Sequence, residues 1–159
     1  MLPSIEKEVN RLYISSIIVP IQFFEWKSNL VPVRKKTAEI RLCIYFRNLN
    51  KVSLKDIYPL PKMDHILQRV VGSSRMSLLD GYLGYNQILV HKDDQLKTTF
   101  TTPWGTFMYA KMSFGLKNAR ETFQRDMDIA FTNEKDVFPV IYLDDLTIFL
   151  NLMRNIYII

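Results

Sequence analysis

Residues 137–150 read Val137-Phe-Pro-Val-Ile-Tyr-Leu-Asp144-Asp145-Leu-Thr-Ile-Phe-Leu150. Two runs rich in β-branched and aromatic side chains flank a pair of acids. That pattern predicts two strands, 137–143 and 146–150, joined by a tight turn at Asp144-Asp145. Asp is a favoured turn residue, so an ordinary turn accounts for the pair by itself. Carboxylates set against Ile-Tyr-Leu and Leu-Thr-Ile-Phe are nevertheless costly unless something compensates them. A divalent cation would, because Mg²⁺ takes oxygen ligands and is usually held by one or two carboxylates together with phosphates and water.

Working outward, Ser74-Arg-Met-Ser-Leu-Leu-Asp80 reads as a buried strand that runs into a third carboxylate, with an aromatic, Tyr85, five residues on. Two helices are expected nearby. One covers 62–71, with an apolar stripe at Met63, Ile66, Leu67, Val70 and Val71 and Gly72 ending it. The other covers 118–131, capped by Asn118, with Phe123, Met127, Ala130 and Phe131 on one face. Alternating runs at 29–35 and 40–46 predict a hairpin with its loop at 36–39. Residues 34–36 then lie at its tip, with Arg41 just across. A second hairpin, 97–102 with 106–112, turns at Pro103-Trp104-Gly105. A short helix is expected at 3–12 with Ser4 as cap, and 47–61 reads as loop.

Composition narrows the function classes. The chain has 159 residues, 48% hydrophobic and 23% charged with five glycines, which suits one globular domain and excludes a disordered or collagen-like chain. One cysteine, Cys43, allows no internal disulfide, and with only His65 and His91 no zinc site can be built from it. Four charges in the first eleven residues leave no apolar signal segment, and the apolar stretches at 13–24 and 138–143 are too short or interrupted to span a membrane. The expected setting is intracellular, cytoplasmic or nuclear, not secreted. The net charge is +5, and Lys27, Arg34, Lys35, Lys36, Arg41, Arg47, Lys51 and Lys55 face a single acid, Glu39, within residues 27–55. Such a field attracts phosphates, although a solvated basic face has the same composition.

Ordered blocks across residues 26–149 resemble the reverse transcriptases of gypsy-type LTR retrotransposons. These are Trp26-Lys-Ser-Asn-Leu-Val-Pro-Val-Arg-Lys-Lys, Arg41-Leu-Cys-Ile-Tyr-Phe-Arg-Asn-Leu-Asn, Lys55-Asp-Ile-Tyr-Pro-Leu-Pro, Ser77-Leu-Leu-Asp-Gly-Tyr-Leu-Gly-Tyr-Asn-Gln-Ile, Lys97-Thr-Thr-Phe, Phe114-Gly-Leu-Lys-Asn-Ala, Thr122-Phe-Gln and Tyr142-Leu-Asp-Asp. The Tyr-x-Asp-Asp box is weak alone; the series in this order is specific.

The resemblance implies an α/β (α+β) palm-and-fingers fold, a small antiparallel ferredoxin-like sheet backed by helices, with the thumb absent. It divides the chain into a lead-in at 1–25, the fingers and palm at 26–150 and a divergent tail at 151–159. It implies an RNA-directed DNA polymerase that transfers deoxynucleotides to a primer 3′-hydroxyl on an RNA or DNA template, using two Mg²⁺ ions or Mn²⁺ in their place. Asp80, Asp144 and Asp145 map onto the metal-binding aspartates. Lys35 and Arg41 map onto the grip on the triphosphate, Tyr85 onto the aromatic beneath the deoxyribose, and Phe114 and Gly115 onto the segment that packs against the nucleotide. Phe123 and Gln124 fall on the helix behind the catalytic hairpin.

Four departures stand out. Tyr45 replaces an Asp that could pair with Arg47, so Arg47 is expected to lack a partner. Ser113 replaces a Pro, Leu83 a Ser, and Arg120-Glu121 replaces small residues at a helix start. The family's full-length members continue into a thumb and an RNase H domain. The expectation is therefore a truncated polyprotein piece, weakly active or inactive alone, with a non-catalytic nucleic-acid-binding remnant as the alternative. An unrelated RNA-binding module ranks last, because Ser113-Phe-Gly-Leu-Lys-Asn does not match an RNP1 strand.

Overall fold

The computed structural model describes residues 2–34, 40–80, 84–134, 137–142 and 145–150, the side chain of Asp80 excepted. In chain order the elements are α1 (Leu2–Ile14), β1 (Ile18–Pro20), β2 (Asn29–Arg34), β3 (Ile40–Tyr45), α2 (Arg47–Val52), α3 (Met63–Val70), β4 (Arg75–Asp80), α4 (Lys92–Gln95), β5 (Phe100–Thr102), β6 (Gly105–Tyr109), α5 (Ala119–Ala130), β7 (Pro139–Tyr142) and β8 (Asp145–Leu150). They form a mixed α/β fold of small antiparallel sheets and helices. None of the described helices is long and apolar enough to cross a membrane.

The chain divides into two compact units, Met1–Lys55 with Tyr85–Ala119, and Asp56–Gly84 with Arg120–Ile159. In the first, a three-stranded sheet runs in the order β1-β6-β5, and β2 and β3 form a separate hairpin. Ile5, Val9 and Leu12, one face of α1 at helical spacing, join Ile18, Ile44, Phe46, Leu49, Phe100, Phe107 and Tyr109 in one core. Burial pushes the Tyr109 hydroxyl far above its ordinary pKa.

Two local expectations change in this unit. α1 already contains Ser4, so that residue is not a cap; Pro3 sits in the first turn, where its missing N–H costs nothing. Residues 47–52 are helical, not loop. The turn exists because Phe46 and Leu49 are drawn into the core, a long-range pull that propensity does not register. The 29–35/40–46 hairpin forms as expected, with Val33 paired to Arg41 and Arg34 to Ile40; its loop lies outside the described residues.

In the second unit the sheet order is β4-β8-β7, all antiparallel. Ile66 of α3 packs with Val140 and Phe149, flanked by Val70 and Tyr142. Of the stripe expected on α3, Met63 and Leu67 are exposed, as is Val71 beyond it. Gly72 has φ +83, the left-handed conformation expected at a helix end. β4 corrects the expectation of a buried strand: Met76, Leu78 and Leu79 are all exposed. β4 is an edge strand paired through β8, and an apolar run cannot by itself reveal whether anything covers it.

Candidate active site

β4 and β8 pair in a register that sets Asp80 directly opposite Asp145, and β7 pairs Tyr142 with the same Asp145. Asp145 is therefore the first residue of the central strand and not a turn residue. The two-residue connection is 143–144, so Asp144 lies outside the described residues. Direct cross-strand partners share a sheet face with Cβ atoms about 4.5–5.5 Å apart, and like charges there are destabilising. Asp145 is exposed at the end of the sheet. Carboxylate oxygens are the hard donors that a divalent cation takes. Among the described residues alone, no group of three His, Cys, Asp or Glu side chains is placed to hold a metal.

The first unit collects another set. Tyr85, in a one-turn 3₁₀ segment (Tyr85–Gln87), is buried, and its ring meets Phe114 with centroids 4.8 Å apart at 56°. The Arg41 guanidinium carbon lies 5.9 Å from the centre of the Phe114 ring, within cation–π range. Phe114 itself is 43% exposed, leaving an aromatic surface beside a cation. Gly115 follows with φ +92, a conformation that favours glycine. A Cβ there would also touch the Ile44 carbonyl at 3.6 Å and Phe46 at 3.7 Å. The structure thus brings Arg41, Tyr85, Phe114 and Gly115 together. Lys35 and Leu83 lie outside the described residues.

The structure bears on two of the departures. Arg47 has a partner: its guanidinium carbon sits 4.8 Å from the centre of the Tyr45 ring, so the aromatic that replaces the acid still holds the cation. At the start of α5, Arg120 is exposed, whereas Glu121 is half-buried and its Oε2 has no hydrogen-bond partner. An unpaired buried oxygen costs about 1–3 kcal/mol, and the favourable dipole position of an acid in the first helical turn returns only about 0.3–1 kcal/mol. Glu121→Ala should therefore raise stability by about 1 kcal/mol and the midpoint of thermal unfolding by about 2–4 °C. A drop in the midpoint in differential scanning calorimetry would contradict this.

Sequence reading missed Asn50. Its Nδ2 donates to the Gly115 carbonyl at 2.7 Å, and its Oδ1 accepts the Lys117 N–H at 2.9 Å. Lys117 Nζ reaches the Ser53 carbonyl at 2.7 Å, and Asn118 Nδ2 the Leu54 carbonyl at 2.8 Å. The Phe114–Gly115 loop is thereby fastened to the end of α2. The signal was an amide side chain, which alone offers both a donor and an acceptor to a backbone loop. Asn50→Ala leaves two loop groups to water and should cost about 1–2 kcal/mol. Exchange of the Lys117 amide should accelerate at least about tenfold, while that of β6 stays unchanged.

Comparison with known proteins shows the family and the fold. The profile of the family described as Reverse transcriptase (RNA-dependent DNA polymerase) matches residues 33–156. An RNA-directed DNA polymerase homolog of Oenothera berteroana is 39% identical over 110 residues, 69% of this chain and 78% of that protein. The retrovirus-related Pol polyproteins from transposons 412 and gypsy of Drosophila melanogaster are 33% and 35% identical over 150 and 109 residues. Those matches cover 91% and 69% of this chain but only 12% and 10% of the polyproteins. In fold, the chain is similar to the foamy viral protease-reverse transcriptase in complex with RNA/DNA hybrid, with a TM-score of 0.81 and 22% identity over 92% of this chain and 19% of that one.

Proposed function

The chain belongs to the reverse transcriptase family, and on that premise we propose that it is the fingers-and-palm portion of an RNA-directed DNA polymerase from a gypsy-type retrotransposon Pol polyprotein. Residues 26–150 carry the activity in this reading, acting inside the cell on a primed RNA or DNA template. The observation that supports it most is the register that sets Asp80 opposite Asp145 at the end of a hairpin sheet.

Asp80, Asp144 and Asp145 would hold two Mg²⁺ ions, or Mn²⁺. Bound there, the ions would lower the pKa of a primer 3′-hydroxyl and neutralise charge on a leaving pyrophosphate. The protein's own contribution is placement. Arg41, with Lys35, takes the triphosphate: a planar guanidinium meets phosphate oxygens in a bidentate fork, which an ammonium cannot do. Phe114 offers a face to the nucleotide, and Gly115 lets the backbone turn beside it. Tyr85, buried beneath Phe114, supports that ring and supplies the bulk that discriminates against a 2′-hydroxyl. The basic stretch at 27–55 adds sequence-independent, salt-sensitive attraction for the phosphate backbone.

Primer extension on an RNA template with Mg²⁺, wild type against Asp144→Asn, tests the assignment. Weak incorporation by the wild type and none by the variant is expected. Equal, nonzero incorporation by both would remove the role given to Asp144. Salt-sensitive binding without incorporation would favour the second reading, a nucleic-acid-binding remnant of the same fold.

A further inference from the structure

α5 carries a polar line that the carboxylate site does not account for. Gln124 is 0% exposed, and a buried amide must find partners. Its Nε2 donates to Asp128 Oδ1, one turn further on, at 3.1 Å and to the Ile141 carbonyl of β7 at 3.5 Å. The other oxygen of Asp128 accepts the Tyr58 hydroxyl at 2.7 Å. Tyr58 is in turn held from both sides. The Arg125 guanidinium carbon lies 4.6 Å from its ring centre, Arg125 donates to Asp56 Oδ2 at 2.6 Å, and Asp56 Oδ1 accepts the Tyr58 N–H at 2.9 Å. The hydrogen bond from Arg125 holds the Asp56 carboxyl below its ordinary range, and the bond to Asp128 raises the Tyr58 hydroxyl. All of these residues lie in the second unit.

The contact on Ile141 has a geometric reason. Phe149 N–H donates to the Phe138 carbonyl across the hairpin. Hydrogen-bonded pairs alternate in an antiparallel ladder, so 140 and 142 bond across to β8 and the Ile141 carbonyl turns outward. β7 is an edge of its sheet, and among the described residues no strand lies beyond that carbonyl. Gln124 supplies the missing donor.

We propose that Gln124, Asp128 and Tyr58 are positioning residues that clamp the outer edge of β7 and so fix the strand leading into Asp144-Asp145. Their consequence for a metal rests on the function proposed above; the clamp on the strand does not. Groups hydrogen-bonded to metal ligands themselves typically change metal affinity by about 10–100-fold, and a clamp on Ile141, three residues before Asp144, acts at the low end of that range.

The test uses the full chain as wild type, Gln124→Leu and Tyr58→Phe, with two measurements: amide exchange in β7–β8 compared with β2–β3, and titration with Mn²⁺ alone. Gln124→Leu should speed exchange in β7–β8 about tenfold, leave β2–β3 unchanged and weaken Mn²⁺ about tenfold. Tyr58→Phe should move both in the same direction by less, and it reads the clamp if Gln124→Leu does not fold. Unchanged exchange in β7–β8, a rise shared equally with β2–β3, or undiminished Mn²⁺ binding would overturn the proposal. If the wild type binds no Mn²⁺, the two-metal reading fails. Exchange then decides the clamp alone: acceleration confined to β7–β8 supports it, and its absence refutes it.

Discussion

Phe100→Ala is expected to cost about 3–5 kcal/mol, the usual price of emptying a buried phenylalanine site. Phe100 is 0% exposed. Its ring centre lies 5.5 Å from Tyr109 and 6.1 Å from Phe107, and Phe107 is also its cross-strand partner in β6. Its backbone is bridged in parallel to Ser28, so the same residue ties the segment before β2 to the sheet. The neighbours cannot collapse into the space, because Tyr109 and Thr98 are held by their own hydrogen bonds: the Tyr109 N–H donates to Thr98 Oγ1 at 2.9 Å. Against a total stability of about 5–15 kcal/mol, this loss leaves the first unit marginal. The expected result is a fall of about 6–20 °C in the thermal midpoint. Phe100→Leu, which keeps most of the volume, should cost less than about 1.5 kcal/mol. A midpoint within 2–3 °C of wild type for the alanine variant, equivalent to about 1 kcal/mol, would show that this core is not built around Phe100.

Asp145→Asn is expected to act with opposite signs on stability and on activity. Without divalent ions, two acids in direct cross-strand register repel, and neutralising one should raise stability by about 0.2–1 kcal/mol. With Mg²⁺, the proposed site loses one of its oxygen ligands. Metal stabilisation of developing charge is worth several kcal/mol, so incorporation should fall by about 10³-fold. Thermal unfolding in chelator and single-nucleotide incorporation in Mg²⁺ measure the two arms. A variant that is less stable in chelator would mean that Asp145 plays a structural role, and one that retains full incorporation would mean that it is not a ligand.

Much of the local structure was legible because it is written locally. The alternation at 29–34 and 40–45 and the apolar spacing of α5 each act over a few residues, and these elements form where they are expected. The second hairpin is shorter than the expected 97–102 with 106–112: Leu96–Thr98 coils into a 3₁₀ turn, β5 begins at Phe100, and Gly105 already belongs to β6, which ends at Tyr109. The grouping of Arg41, Tyr85, Phe114 and Gly115 came from resemblance, since no periodicity links positions so far apart. Asn50 escaped notice because its partners, Gly115 and Lys117, are more than sixty residues away. Gln124 falls by resemblance on the helix behind the hairpin, but its role at the β7 edge is not readable from sequence, since a glutamine in a helix is ordinarily solvated. The exposure of β4 is equally illegible: an apolar strand records what it could bury, not what lies beside it.

By itself, then, the amino-acid order determined that this chain has two acid-bearing apolar runs, a basic hairpin and helices to back a small sheet, because strand alternation, helical spacing and turn chemistry act over a few residues. Only the tertiary structure decided that Asp145 opens a strand opposite Asp80, that residues 47–52 coil into a helix over Leu49, that Tyr45 holds Arg47, and that Gln124 caps the outer carbonyl of β7. Register, burial and the pairing of edge groups depend on which distant segments arrive alongside, and that is settled when the whole core closes.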